Sequence, residues 1–364
     1  ADLGSVTSRL DTVGASSGSF GVGRNVIANS AMMVSQRGTS FASVGNVYTL
    51  DRFLFYKQNS GAAFTVTQSS VTDLAGFANA LKVDCTTADT SLASNEEGYI
   101  QHKIEGQDLQ RFQKGHATAL GFTLSFYVKT NKTGVYTVKI FDRDNSRDVS
   151  GSYTVADTNW NRYTINFPAD TTGKFDDDNA SSLEIFFKLF AGSDTTGGTL
   201  NTTWRANSDT SAASGQVNFA DSTSNDWEIT GIQLETGSGA ATDFEHRSFG
   251  DELARCMRYY EQMDGSGTCV YGVGYNESTS ICKGQISFLV SKRAAPTVSV
   301  SAVADFCNVS TGTTAVASGL TFTSNVLMNT RYTCTSSNTA LIDGGASILS
   351  RFANDAIIKV DSEL

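Results

Sequence analysis

The sequence predicts an all-β chain: a jelly-roll β-sandwich, a short helix and a smaller C-terminal β-domain, preceded by a short heptad-patterned segment. Three observations predict it. Apolar residues alternate at period two in one run after another, as strands with a single buried face require. The runs are bounded by Gly, Asn, Asp, Ser and Thr clusters such as NKTG and DTTG, whose side chains and backbone freedom favour turns. Helical spacing is confined to the extreme N-terminus and one stretch after residue 247. With 18% charged residues and two prolines in 364, this is the profile of a turn-rich β-protein and not a disordered one.

Residues 1–23 place Leu3, Val6, Leu10 and Val13 at spacings of 3, 4 and 3, an a/d heptad seam. Two heptads are too short to stand alone. They read as the end of a longer stalk, as a segment held by the adjoining domain, or as chance in a flexible leader. The predicted sandwich spans 24–249. Eight runs alternate within it: YTLDRFLFY, ALKVDC, YIQHKIE, LSFYVK, VYTVKIFD, RYTINFP, LEIFFKLF and WEITGIQLE. No helix intervenes, which points to two packed antiparallel sheets. The Gly/Thr/Ser-rich segment 192–225 is expected as a large loop excursion at one end. WEITGIQLE reads as the closing strand, and Phe244-Glu245-His246-Arg247 as a charged latch after it.

A connecting helix is predicted over 250–263, with Leu253, Met257 and Tyr260 on a buried face that docks against a domain or a neighbouring subunit. From 264 to 364, five to seven further strands are expected, with Pro296 marking an edge or a turn.

The net charge is −10, and Lys and Arg are scattered, so nucleic-acid binding is excluded from the expectations. An acidic, polar β-surface suits neutral sugars or cations. No apolar run reaches 18 residues, so no membrane insertion is expected, and ADLGSVTSRL lacks the marks of a signal peptide. None of the six cysteines (85, 256, 269, 282, 307, 334) forms a C-x-x-C pair, which argues against structural zinc. They read as buried thiols ahead of a disulfide framework.

No enzyme is expected. His102 alternates with Ile100 and Ile104 and reads as packed, while His246 between Glu245 and Arg247 reads as structural. Glycoside hydrolysis needs two carboxylates across a cleft; Glu96, Glu97, Asp142 and Asp144 are present, but nothing pairs them. No cofactor is expected, with structural calcium the one ion that has a candidate loop, through Asp176 and Asp178. The alternative for that loop is a solvated acidic turn. For sugar binding, aromatic faces flanked by amides are sought. Trp160 with Asn161, and Trp204 with Asn201, fit that description; packing under a long loop is the other reading of both tryptophans.

Several stretches together resemble a group of phage virion proteins, tail-fibre and minor structural proteins. RNVIANSAMMVSQRGTSF and then YTLDRF are similar to the opening of that family's domain, and LSFYVKTNKTGVYTVKIFD and WNRYTINFPADTTG to its middle. WEITGIQLETGSGAATDFEHRSFGDELARCMRYY is similar to its closing signature. The resemblance implies a carbohydrate-binding-module-like jelly roll within a homotrimeric fibre, and it carries no catalytic residues. The expected function is therefore adhesion: the distal part of a tail fibre on the virion, partnered by other tail proteins and a host surface glycan or protein. A capsid-decorating component, or a secreted carbohydrate-binding module or depolymerase, are the alternatives.

Overall fold

The computed structural model describes residues 23–264, 269–353 and 356–364, and the chain divides into two compact units between Phe249 and Gly250. Leu3, Val6, Leu10 and Val13 lie outside the described residues. The first unit opens with β1 (Ser40–Phe41), β2 (Val47–Tyr48), β3 (Phe53–Gln58), β4 (Ala63–Ser70) and β5 (Asn79–Thr87). Then come β6 (Glu97–Glu105), β7 (Phe122–Thr130), β8 (Gly134–Asp142) and β9 (Arg147–Val155). It closes with β10 (Asn161–Phe167), β11 (Ser181–Ala191), β12 (Arg205–Ala206) and β13 (Asp226–Thr236). One antiparallel sheet has the order β1-β4-β5-β13-β7-β10, and the other β12-β9-β8-β11-β6-β3-β2. This is the predicted two-sheet sandwich.

Alternation decides which faces meet. Leu124, Phe126 and Val128 of β7 and Leu183, Ile185 and Phe187 of β11 are all buried in one core. The Phe126 and Phe187 rings touch edge-to-face across the sheets at 5.2 Å. Trp227 on β13 is fully buried, its indole N–H donating to the Tyr153 hydroxyl at 3.3 Å. Gly231 interrupts β13 at a bulge with φ +62°, where a Cβ would meet the Phe77 ring at 2.7 Å.

Thirteen strands form where eight runs were expected. The unforeseen long ones, AFTVTQSS (β4) and RDVSGSYTV (β9), carry few large apolar residues. β9 is a strand because all nine of its residues pair with β8, so the neighbour and not its own propensity sets its conformation. Conversely, Thr49 and Asp51 of the predicted YTLDRFLFY run sit in a turn, and the strand begins only at Phe53.

The FEHR segment ties the two ends of the sandwich together. Glu245 accepts from the Gly23 N–H at 2.7 Å and the Asn25 N–H at 2.8 Å, while Arg247 donates to the Ile27 carbonyl at 2.9 Å. The Asn25 side chain in turn bonds Ile232 and Leu234 of β13, at 2.9 and 3.1 Å.

The second unit opens within α1 (Phe249–Met257), which ends six residues before the predicted 263. The residues YEQMD form β14 (Tyr260–Asp264) instead, because all five pair with a strand at the far end of the chain. The helical spacing of Leu253, Met257 and Tyr260 is thus broken. Tyr260 is buried in the sheet, Leu253 and Met257 are only half-buried, and the buried helix positions are Glu252 and Cys256.

Eight more strands complete the unit: β15 (Val270–Asn276), β16 (Ile281–Ser287), β17 (Thr297–Val300), β18 (Phe306–Ser310), β19 (Thr313–Thr323), β20 (Asn329–Ser336), β21 (Ala346–Arg351) and β22 (Ile357–Asp361). Six close into a barrel ordered β15-β16-β20-β19-β18-β21, and β14-β22-β17 form a separate sheet. Pro296 precedes β17, an edge strand, as its missing N–H requires. Lys292 and Glu261 form a fully buried ion pair beneath the Met257 carbonyl. All six cysteines are free thiols, with Cys269 half-exposed and the others buried.

Burial pushes the Glu245 carboxyl up, but the Asn25 and Gly23 N–H groups and the charges of Arg247 and Arg24 outweigh it, so its pKa is lowered. Such a group contributes stability above its unfolded pKa, lost as the pH falls through the lower folded one. Glu245→Gln, which turns an amide N–H toward one backbone donor, is expected to cost about 1–3 kcal/mol in urea unfolding at neutral pH. The gap to the parent protein should shrink as the pH drops below the ordinary glutamate range.

Candidate functional site

The seven-stranded sheet presents its other face outward, and that face is not an ordinary solvated one. Pairing places its side chains in rows. Tyr56 lies opposite Tyr99, and Tyr99 opposite Lys188. In the next row Gln101 faces Phe186, and Phe186 faces Lys139. In the one after, Glu184 faces Phe141. Aromatic and polar groups thus alternate both along and across the strands, around a cleft of about 290 Å³.

The aromatic part is a strip. Tyr56 and Tyr99 stack at 4.7 Å and 10°, and Phe186 meets Tyr99 edge-on at 4.9 Å. The Lys188 amine lies 4.6 Å from the Tyr99 ring centre. Tyr99, Gln101, Lys139, Glu184 and Lys188 are all buried at the base of the cleft, and Tyr56 stands half-exposed at its side.

Every lysine here is tied to a carboxylate. Lys188 donates to Glu97, and Lys139 to Asp209 at 2.7 Å and to the Asn207 side-chain oxygen at 2.9 Å. Glu184 takes a hydrogen bond from Gln101 at 2.8 Å and pairs with Arg143 at 3.2 Å. Burial pulls the Lys188 amine below its ordinary range against the pull of Glu97, and buried surroundings push both Tyr56 and Tyr99 up. Both phenols are therefore neutral hydroxyls at any physiological pH. The result is a walled, charge-compensated hollow with amide, hydroxyl and carboxylate groups set among aromatic rings.

The predicted loop excursion supplies one wall. Arg205 of β12 pairs with buried Asp148 at 3.0 Å, and the Asn207 N–H donates to the Ser146 carbonyl. This anchors Asn207 and Asp209 over Lys139, so segment 192–225 is in part a built side of the cleft.

The four residues chosen from the sequence as sugar ligands are not brought together. Trp160 precedes β10, an edge strand of the other sheet, and donates to Asp73 at 2.9 Å. Asn161 bonds Asp157 in its own turn at 2.9 Å. Trp204 donates to the Pro168 carbonyl at 2.8 Å, just beyond the opposite end of β10, and packs edge-on against Phe122. Eight residues of extended chain put the two tryptophans roughly 25 Å apart. Asn201 bonds Thr203 at 2.8 Å and braces the same loop. Trp204 is thus a packing residue, the alternative reading of the sequence.

Asp178 accepts from the Ala180 N–H at 2.9 Å, and the Asp176 N–H donates to Asp144. Among the described residues, no group of three or more His, Cys, Asp or Glu side chains is placed to hold a metal. Asp142 is buried against Lys114, Glu96 caps the Ala93 N–H at 2.9 Å, and Glu97 lines the cleft paired with Lys188. His102 is buried beside Phe53, with ring centres 4.9 Å apart, and burial holds it well below its usual pKa.

What sequence reasoning missed is the outward half of strands it had already identified. The signal was there: VYTVKIFD and LEIFFKLF carry aromatics on both faces, and YIQHKIE carries Tyr99 on its outer face, with Gln, Lys and Glu among the outer rings. A merely solvated face does not need them.

No protein-family model matches the chain, and no curated protein does. Among solved structures it is similar to an arabinose-bound α-L-arabinofuranosidase (13% identity, 66% of this chain and 31% of that one, TM-score 0.33). It is also similar to a putative sugar binding protein from Bacteroides thetaiotaomicron (12% identity, 58% of this chain and 99% of that one, TM-score 0.33). A third is a family 11 carbohydrate-binding module from Clostridium thermocellum, in complex with a mixed-linked tetrasaccharide (12% identity, 56% of this chain and 98% of that one, TM-score 0.28). Likenesses this loose leave the question of ligand to the residues themselves.

Removing one partner of the Lys188–Glu97 pair should expose its cost. Lys188→Met is expected to destabilise the protein by about 1–3 kcal/mol, by leaving Glu97 beside the aromatic strip without a cation. Adding Glu97→Gln should recover most of that loss in urea unfolding.

Proposed function

We propose that this protein binds carbohydrate, and that the cleft on the outer face of the seven-stranded sheet takes an uncharged sugar chain. The observation that carries this is the alternation of rings and compensated polar groups around Tyr56, Tyr99, Gln101, Lys139, Phe186 and Lys188. Sugars offer C–H faces to aromatic rings and hydroxyls to fixed donors and acceptors, which is what this surface provides. Pairing of both lysines leaves no free positive charge to attract a polyanion. The cleft carboxylates are occupied as ion-pair and hydrogen-bond partners, which favours binding without cleavage.

The finer reading extends this to the distal part of a homotrimeric phage tail fibre that adheres to a host surface glycan. Its support is the sequence resemblance over residues 24–260 and the sandwich architecture. A secreted carbohydrate-binding module is the reading that needs least beyond the cleft itself.

An array of neutral oligosaccharides, with calorimetry on those retained, tests the proposal. Tyr56→Ala and Gln101→Ala should each weaken binding at least about fivefold, on the scale of a lost stacking or hydrogen-bond contact. The bound oligosaccharide should be recovered intact after prolonged incubation. Retention of no neutral glycan, or affinity indifferent to both substitutions, would defeat the assignment.

A further inference from the structure

The second unit carries a larger hollow, about 520 Å³, on the outer wall of its barrel where β15, β16 and β20 run side by side. Two rows of outward side chains frame it. One is Tyr275, Lys283 and Thr333; the other is Val273, Gln285, Arg331 and Thr323. Between the rows, Gly274 and Gly284 face each other. A Cβ on either would come within 2.2 Å of a carbonyl oxygen on the facing strand, so the close approach there requires glycine at both. The floor of the hollow between the rows is backbone, because the residues that alternate with the outward ones face the barrel interior.

Its chemistry differs from that of the first cleft. Val273 and Tyr275 are 66% and 53% exposed, so an apolar edge and a phenol ring stand open to a ligand. Lys283 pairs with Glu277 at the rim. Among the described residues Arg331 has no carboxylate partner, which leaves one uncommitted guanidinium in a chain of net charge −10. The other polar groups, Gln285, Thr323 and Thr333, are neutral and both donate and accept.

We propose that this hollow is a separate binding site for a saccharide bearing an isolated carboxylate, such as a neutral oligosaccharide that carries one uronic acid. Arg331 holds the carboxylate through its forked N–H groups, Tyr275 stacks on a neighbouring ring, and Gln285, Thr323 and Thr333 meet hydroxyls. Tyr275 and Arg331 lie two strands and two residues apart, roughly 12 Å between Cα atoms. Their side chains and a di- or trisaccharide bridge that span. A single free cation among neutral amides and hydroxyls does not match a densely charged ligand such as an acidic peptide, which would leave charges unpaired.

The test is calorimetry on the full chain, carrying Tyr56→Ala to silence the first cleft, with a trisaccharide of two neutral xyloses and one glucuronic acid, its carboxyl-reduced counterpart and tri-glutamate. The acidic trisaccharide is expected to bind, more weakly as salt is added, while the other two bind at least about tenfold more weakly. Adding Arg331→Gln or Tyr275→Ala, both at exposed positions, should each reduce its affinity about tenfold with an unchanged circular-dichroism spectrum. The parent chain should bind the acidic trisaccharide as tightly as the Tyr56→Ala chain does. Equal affinity of the Tyr56→Ala chain for the reduced sugar or for tri-glutamate, survival of binding when Arg331→Gln is added, or loss of binding in Tyr56→Ala alone would each overturn the proposal. So would the absence of binding at millimolar acidic trisaccharide.

Discussion

The register of β11 between β6 and β8 is the constraint on which the first unit rests. Ile185 pairs with both His102 and Ile140, and this one alignment sends Leu183, Ile185 and Phe187 into the core. The same alignment sends Glu184, Phe186 and Lys188 outward. Because side chains alternate strictly along a strand, a slip of one residue would exchange the two sets. It would bury a glutamate and a lysine among aromatics with no partners, at a cost of several kcal/mol for each charge. The apolar face therefore holds the outer face in place, and core and cleft are two products of one register.

That coupling explains what was legible in the sequence. The sandwich could be read because Leu124-Phe126-Val128 and Leu183-Ile185-Phe187 repeat at period two, and periodicity is a local property. β4 and β9 escaped because their conformation is imposed by β5 and β8 alongside them. The connecting helix stops short of its predicted end for a similar reason. Tyr260 continues a helical spacing, yet β22, nearly a hundred residues later, claims it for a sheet. Tryptophans in loops are the sugar ligands that local sequence suggests, whereas the cleft is made by tyrosines, phenylalanines and lysines inside strands. Which strands lie side by side is a non-local fact, and only adjacency turns Tyr56, Tyr99 and Lys188 into a row.

The two hollows also show how neighbouring chemistry sets what a lysine or arginine can do. Lys139 and Lys188 are cations by name, but each is held by a carboxylate and so contributes shape and hydrogen bonds more than field. Arg331 sits on an open barrel wall with only neutral groups beside it in its row. Net charge over the whole chain conceals this difference. What a ligand meets is the local balance, within about a Debye length.

The latch at Glu245 and Arg247 has a mechanical consequence. It brings the chain's entry at Gly23 and its exit after Arg247 to the same place on the sandwich. Tension carried along the polypeptide from one side of this unit to the other would run through those few bonds and the adjoining stretch of β13. The rest of both sheets, and the cleft on one of them, lie off that line. The sandwich is thus hung on the chain as a pendant, and a pull on its attachment points need not disturb the cleft.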